Sequence, residues 1–134
     1  MYLVLLNNEK KELFLNLACR IAAADGNFSD EENAMIDGYC QEMNISFDYN
    51  RPLNTTEKIV SDMNSICDLT EKRIIIFEII GLAMADGEYD VSERGVINGI
   101  NKTFALPEGY PADCEKKLKE YFDIQRKLNS LVIG

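Results

Sequence analysis

The 134-residue sequence contains no histidine, no tryptophan and only three prolines. Histidine is the usual general base in Ser or Cys catalysis and the usual partner of cysteine in mixed zinc sites, so both kinds of site are disfavoured. The four cysteines, Cys19, Cys40, Cys67 and Cys114, form no CxxC pair and fall in or beside apolar helical stretches. We therefore expect reduced, partly buried thiols in a cytoplasmic protein that is not an enzyme.

The sequence is also short of basic residues and of long apolar runs. Fourteen Lys and Arg side chains stand against 23 acidic ones, a net charge of −9, which opposes binding to a nucleic-acid backbone. The apolar residues 1–6 have neither the basic lead-in nor the cleavage site of a signal peptide. The apolar run at residues 74–84 is shorter than the ~20 residues of a membrane-spanning helix. We expect no membrane insertion, and a partner that is another protein.

Helical periodicity covers the first third of the chain. Leu13, Leu17 and Ile21 recur at helical spacing and predict an amphipathic helix that ends at Ala24. A second helix is predicted from another apolar stripe, formed by Met35, Ile36, Tyr39, Cys40 and Met43. Its opposite face carries Asp37, Gln41 and Glu42. Residues 46–52 are predicted to form a loop.

Two capping-box spacings follow the loop. Asn54 with Glu57 predicts a short helix from about Thr55, and Asp68 with Glu71 predicts a longer one from about Leu69. The body of the longer helix is apolar nearly all round, which is typical of a central helix covered on several sides. Glu78 interrupts this apolar body and could be a buried carboxylate of functional interest. We expect instead that it lies on a narrow exposed strip.

A further helix is predicted over residues 92–103, followed by a break at 106–109. Pro111 suits the first turn of a last helix over about 111–128. The buried stripe of that helix is predicted to contain Cys114, Leu118, Tyr121, Phe122 and Leu128. The sequence thus predicts one all-α domain over residues 1–134, a compact bundle of about six to seven helices.

Two segments of the chain match when they are offset by 61 residues: LACRIAAADGNFSDEENAMIDGY and IIGLAMADGEYDVSERGVINGI. Both follow the pattern A-D-G-x-[FY]-x-x-x-E, in which an apolar helix runs into an Ala-Asp-Gly turn and a second helix follows. Internal duplication is the simplest explanation. We place repeat one at about 8–45 and repeat two at about 69–104, related by a pseudo-twofold axis.

Each motif position has a structural explanation. Gly26 and Gly87 suit the left-handed conformation that ends a helix. Asp90 and Glu93 have capping-box spacing, as do Ser29 and Glu32, so these side chains could serve only to satisfy backbone amides. The aspartates of the turns can also accept hydrogen bonds from nearby backbone N–H groups.

The motif also suggests a metal site, because DGNFSDEE and DGEYDVSE resemble the second half of an EF-hand loop. The first half has no oxygen ligands, so neither turn could hold calcium alone, and a divalent cation (calcium, magnesium, manganese or zinc) would need both turns to converge. The predicted ligands are Asp25, Glu32, Asp86 and Glu93, with Asp30, Glu31, Glu88 and Asp90 as secondary candidates. Metal ligation and helix capping both remain open.

The doubled Ala-Asp-Gly pattern, with a glutamate seven residues after each aspartate, resembles the TerB-like family, named for a tellurite-resistance protein. The resemblance covers about residues 8–125 and is specific around the two turns. It implies an all-helical fold with pseudo-symmetric halves, an acidic patch that bears the motif residues, cation binding, and a role in stress response or protein interaction. The second copy departs from the first at Val91 and Ser92, where the first has Asp30 and Glu31.

Overall fold

The computed structural model describes residues 1–22, 30–46, 54–85 and 89–134. In these ranges the chain forms a 3₁₀ turn at Leu3–Leu5, six α-helices and no strand. The helices are α1 (Asn8–Ala22), α2 (Asp30–Met43), α3 (Thr56–Ile66), α4 (Leu69–Ala83), α5 (Val91–Thr103) and α6 (Tyr110–Ile133). The predicted all-α bundle is confirmed. The pseudo-twofold relation and the single-domain boundary stay predictions.

Helix α4 lies at the centre of the bundle, as its sequence predicts. Nine of its 15 residues are buried, and it packs against α1, α5, α6 and the 3₁₀ turn. The predicted capping box is present, since Asp68 accepts a hydrogen bond from Glu71 N at 2.8 Å and Glu71 accepts one from Asp68 N at 2.9 Å. This reciprocal pair fixes the start of the helix, and the helix body then contributes five buried isoleucines to the core.

Helices α1 and α2 cover one side of α4. Their contact is centred on Phe14, which is fully buried and meets the ring of Tyr39 edge to face, with centroids 5.2 Å apart. The Tyr39 hydroxyl donates to the carbonyl of Glu78 at 3.1 Å, which ties α2 to α4. The predicted end of α1 at Ala24 and the predicted loop over 46–52 lie almost wholly outside the described residues.

Two sequence predictions about helix ends are wrong. Thr55, not Asn54, caps α3, because the Thr55 side chain accepts from Lys58 N at 3.2 Å. Helix α6 does not stop near residue 128 but continues to Ile133. Two residues assigned to its buried stripe, Tyr121 and Leu128, are exposed, because α6 continues beyond the bundle that covers its first half.

None of the four cysteines, all of which lie in the described ranges, forms a disulfide; Cys19, Cys67 and Cys114 are buried and Cys40 is half-buried. Burial raises the pKa of the Cys67 and Cys114 thiols, so these two are poor nucleophiles. Within the described ranges, no helix combines the length and the apolar character that crossing a bilayer requires.

Candidate functional site

Most of the predicted cation ligands fall where the structure gives no side-chain position. Asp25, Asp86 and Glu88 lie outside the described residues. Glu31 and Glu32 belong to the first turn of α2, where only the helical backbone is described. The predicted pooling of four carboxylates therefore stays a prediction.

The three described candidates lie at the starts of α2 and α5. Asp30 is the first residue of α2 and is exposed. Asp90 is exposed and caps α5, since its Oδ1 accepts a hydrogen bond from Glu93 N at 2.8 Å. Glu93 is half-buried. The predicted capping role of Asp90 is confirmed, and this carboxylate is committed to a backbone amide through one oxygen.

The end of α1 and the start of α5 line the same small cavity, of about 90 Å³. Arg20 and Ile21 come from the last turn of α1, and Ser92, Glu93 and Val96 come from the first two turns of α5. The next chain segment after α1 contains the first Ala-Asp-Gly turn, and the segment before α5 contains the second. One helix end beside each turn, the end of α1 and the start of α5, therefore lines this cavity, together with the candidate ligand Glu93.

The start of helix α3 also lies at this cavity. Arg20 Nε donates to the carbonyl of Asn54 at 2.7 Å, which joins the end of α1 to the residue before the α3 cap. Thr56, in the first turn of α3, lines the same cavity. Three helix termini thus meet here. Among the described side chains, however, no group of three His, Cys, Asp or Glu residues is placed to hold a metal ion.

A second cavity, an open groove of about 480 Å³, is lined by Met84, Tyr89 and side chains of α5 and α6. Arg94 forms a bidentate ion pair with Glu115 there, with Nη1 to Oε1 at 2.5 Å and Nη2 to Oε2 at 2.8 Å. Lys119 Nζ lies 3.1 Å from Glu115 Oε2. The hydrogen bonds from Arg94, followed by that from Lys119, lower the pKa of the Glu115 carboxyl to about 2 against the opposing effect of burial.

The motif aromatic of the second copy, Tyr89, belongs to the same groove. The Arg94 guanidinium lies over its ring, 4.1 Å from the centroid, a cation–π geometry. Burial raises the pKa of the Tyr89 hydroxyl to about 12. Tyr89, Arg94 and Glu115 therefore connect the second turn to α6. No sequence pattern predicts the Arg94–Glu115 ion pair, because the two residues lie 21 positions apart on different helices.

Glu78 is buried rather than exposed, which contradicts the sequence prediction. It is 5% exposed, and its Oε1 accepts from the Met1 ammonium group at 2.8 Å and from Tyr2 N at 2.9 Å. Glu42 lies 2.9 Å from the same ammonium group and accepts from Leu3 N at 3.1 Å. The N-terminal segment folds over α4 and supplies the donors that make this burial tolerable.

The all-α bundle of the described helices is similar to a solved structure, that of a tellurite resistance protein from Nostoc punctiforme. The TM-score is 0.65 and the sequence identity is 20%. The match covers 96% of this chain and 84% of that one. It confirms the TerB-like resemblance at the level of the fold. No family model matches the sequence, and the search of curated proteins finds no match.

Proposed function

We propose that the chain is a non-enzymatic acidic module of the cytoplasm that binds a divalent cation between its two Asp-Gly turns and acts in stress response or protein interaction. The observation that supports cation binding is the shared cavity, in which the last turn of α1 and the first turns of α5 meet around Glu93. The likeness to a protein named for tellurite resistance supports the stress-response part.

The chemistry of the proposed site requires both turns. Calcium takes about six to eight oxygen ligands, and magnesium takes six with several waters among them. One turn offers an aspartate and a glutamate, Asp25 with Glu32 or Asp86 with Glu93. Pooling the four carboxylates, with backbone carbonyls and water, would complete such a shell. A bound cation would also relieve repulsion in a chain of net charge −9.

The test is thermal unfolding with each of four ions at millimolar concentration: calcium, magnesium, manganese and zinc. A ligand that binds only the folded chain at about 100 times its Kd stabilises it by about 2.7 kcal/mol, which corresponds to a rise in Tm of roughly 8–12 °C for a domain of this size. The double variant Asp25→Asn, Asp86→Asn should lose this rise.

A matched variant controls for loss of charge. Glu57→Gln with Glu120→Gln removes two exposed carboxylates on α3 and α6, and its response to the ion should equal that of the wild type. The cation proposal is abandoned if no ion raises the Tm of the wild type, or if the Asp25 and Asp86 double variant responds as the wild type does.

The alternative function is a structural or protein-interaction domain whose acidic turns serve only as caps. The confirmed cap at Asp90 favours it, as does the apolar surface that α6 leaves uncovered. Under this alternative, Asp25→Asn with Asp86→Asn changes stability equally with and without ions, and the chain retains its partner binding in the presence of a chelator.

A further inference from the structure

The first six residues are held on the bundle by polar contacts as well as by apolar ones. Leu3 and Leu6 are buried, and Tyr2 meets the ring of Phe77 edge to face, with centroids 5.5 Å apart. The 3₁₀ turn packs against α2 and α4, but a single turn of this kind is too short to be stable by itself. The position of residues 1–6 therefore depends on what anchors the first of them.

Two carboxylates, Glu42 of α2 and Glu78 of α4, bind the first three backbone nitrogens. The Met1 ammonium lies 2.9 Å from Glu42 Oε1 and 2.8 Å from Glu78 Oε1. The same Glu78 oxygen accepts a hydrogen bond from Tyr2 N, and the second Glu42 oxygen accepts one from Leu3 N. An ammonium group followed by two backbone N–H donors is the chemical signature of a free polypeptide start, so the two carboxylates form an amine-capture site.

The positive charge of the ammonium keeps the two carboxylates together. Both contact the same nitrogen, so their oxygens lie close to each other and repel unless a cation stands between them. Glu78 is also buried, and a buried carboxylate that loses its counter-charge strongly destabilises the fold. Release of residues 1–6 would let water reach Glu78 and would relieve that penalty.

We infer that the α-amino group of Met1 is a modification-sensitive anchor, which holds residues 1–6 on α2 and α4 as a free ammonium and releases them when it is acylated. Transfer from an acyl thioester forms an amide bond between the Met1 nitrogen and the acyl carbon and breaks the carbon–sulfur bond. The ammonium gives up two protons, one to the departing thiolate and one to water, so the nitrogen becomes neutral. The acyl group also adds atoms to a nitrogen that already contacts two carboxylates.

The folded chain itself should resist this modification. Burial lowers the pKa of the Met1 ammonium, but the hydrogen bonds that it donates to Glu78 and Glu42 raise that pKa overall. A protonated amine has no lone pair with which to attack a thioester. Acylation should therefore precede docking of the segment, so that the state of the amine at the time of folding decides whether residues 1–6 are bound. The inference adds a means of regulation and does not depend on cation binding.

The test compares the free chain with the Nα-acetylated chain. Ligation of a synthetic peptide of residues 1–18 to residues 19–134 at Cys19 yields both forms without modifying any lysine. Acetylation should lower the Tm by roughly 4–8 °C, because two carboxylates lose their counter-charge. In NMR hydrogen exchange, the amides of Leu3 and Leu6 should lose almost all protection, whereas those of Ile79 and Ile80 in α4 should stay well protected.

A thermodynamic cycle assigns the effect to the two carboxylates. In the variant Glu42→Gln with Glu78→Gln, the free and the acetylated chain should melt within about 1 °C of each other, because the partners of the ammonium are already neutral. If that variant does not fold, Glu42→Gln alone changes the half-buried partner and should reduce the effect of acetylation to about half. The matched control, Glu57→Gln with Glu120→Gln, should show the full wild-type decrease on acetylation.

A glycine placed before Met1 separates the effect of charge from that of position. The extended chain keeps an ammonium group but moves it by up to about 3.8 Å, so it should lose stability as the acetylated chain does. Equal losses in the two forms would show that the site recognises the ammonium at Met1 and not simply a positive charge at the chain end.

Four results would overturn the inference. The acetylated chain could melt as the free chain does, or its Leu3 and Leu6 amides could stay protected. Acetylation could lower the Tm of the Glu42 and Glu78 double variant as much as that of the wild type, or the glycine-extended chain could be as stable as the wild type. The cation melting experiment uses the free chain alone, so the two proposals can fail separately.

Discussion

The ion pair between Arg94 and Glu115 should make the stability of the chain depend on pH in the acid range. Arg94 holds the pKa of Glu115 at about 2, below the ordinary 4.5. A carboxyl whose pKa is lowered on folding stabilises the fold above its unfolded pKa and loses that contribution as pH falls through its folded pKa. For Glu115 the loss should therefore run from about pH 4.5 down to about pH 2.

The magnitude follows from the shift and from the exposure of the partners. The full shift corresponds to roughly 3 kcal/mol, but the Arg94 side chain is 41% exposed and that of Lys119 is 65% exposed, so solvent screening reduces the expected value to about 1–2 kcal/mol. Glu115→Gln keeps the size of the side chain and removes its charge. We expect it to lower the free energy of unfolding by that amount at neutral pH.

The assay is urea unfolding of the wild type and of Glu115→Gln, carried out at about pH 7 and at about pH 3. Far-UV circular dichroism monitors the loss of helix. The difference between the two proteins should fall to less than half at the lower pH. Glu120→Gln on the same helix is the control, because Glu120 is exposed and its contact with Lys117 is long, at 3.4 Å; it should change stability by less than about 0.5 kcal/mol. A difference for Glu115→Gln that is the same at both pH values would refute the reasoning.

Three further predictions concern the folded state. Glu78→Gln should destabilise the chain at neutral pH. Although partial burial lowers the pKa of the Met1 ammonium, the hydrogen bonds that it donates to Glu78 and Glu42 raise that pKa overall. The difference from wild type in urea unfolding should therefore shrink as pH rises above 8 and persist below it. Asp90→Ala should cost about 1 kcal/mol, but Asp90→Asn only a few tenths, because asparagine caps as well as aspartate; equal losses in thermal unfolding would argue against a cap. Gly99→Ala should stabilise by roughly 0.5–1 kcal/mol in the same assay, since a Cβ there meets no atom within 4 Å, and a loss of stability would contradict that geometry.

The helices could be predicted because their determinants are local. The Asp68 and Glu71 capping box and the all-apolar body of α4 lie within one continuous stretch, and Pro111 lies in the first turn of α6. The cap of α3 lies one residue later than predicted, because Asn54 and Thr55 are both good caps and only Asn54 has a glutamate three residues later.

Long-range contacts could not be predicted in the same way. Glu78 shares a helical face with small residues, and this pattern is as consistent with an exposed strip as with a buried pocket. Its hydrogen-bond partners come from the start of the chain, 76 and 77 residues away. Leu128 is exposed because the neighbouring helix α4 ends before it. The position of that end cannot be predicted from the periodicity of α6. For the candidate cation site, the sequence supplies only candidate ligands, and the structure adds that the end of α1 and the start of α5 line one cavity.

The buried carboxylate of α4 has a consequence for the chain before it folds. Residues 74–80 read IIIFEII, a segment whose β-branched side chains would favour strand pairing between unfolded molecules. Glu78 is the only charge in that segment, and charged residues within or beside such runs limit aggregation. Burial of Glu78 in the core costs free energy in the folded state. The same charge should limit aggregation during synthesis and refolding, before the isoleucines of the helix are buried.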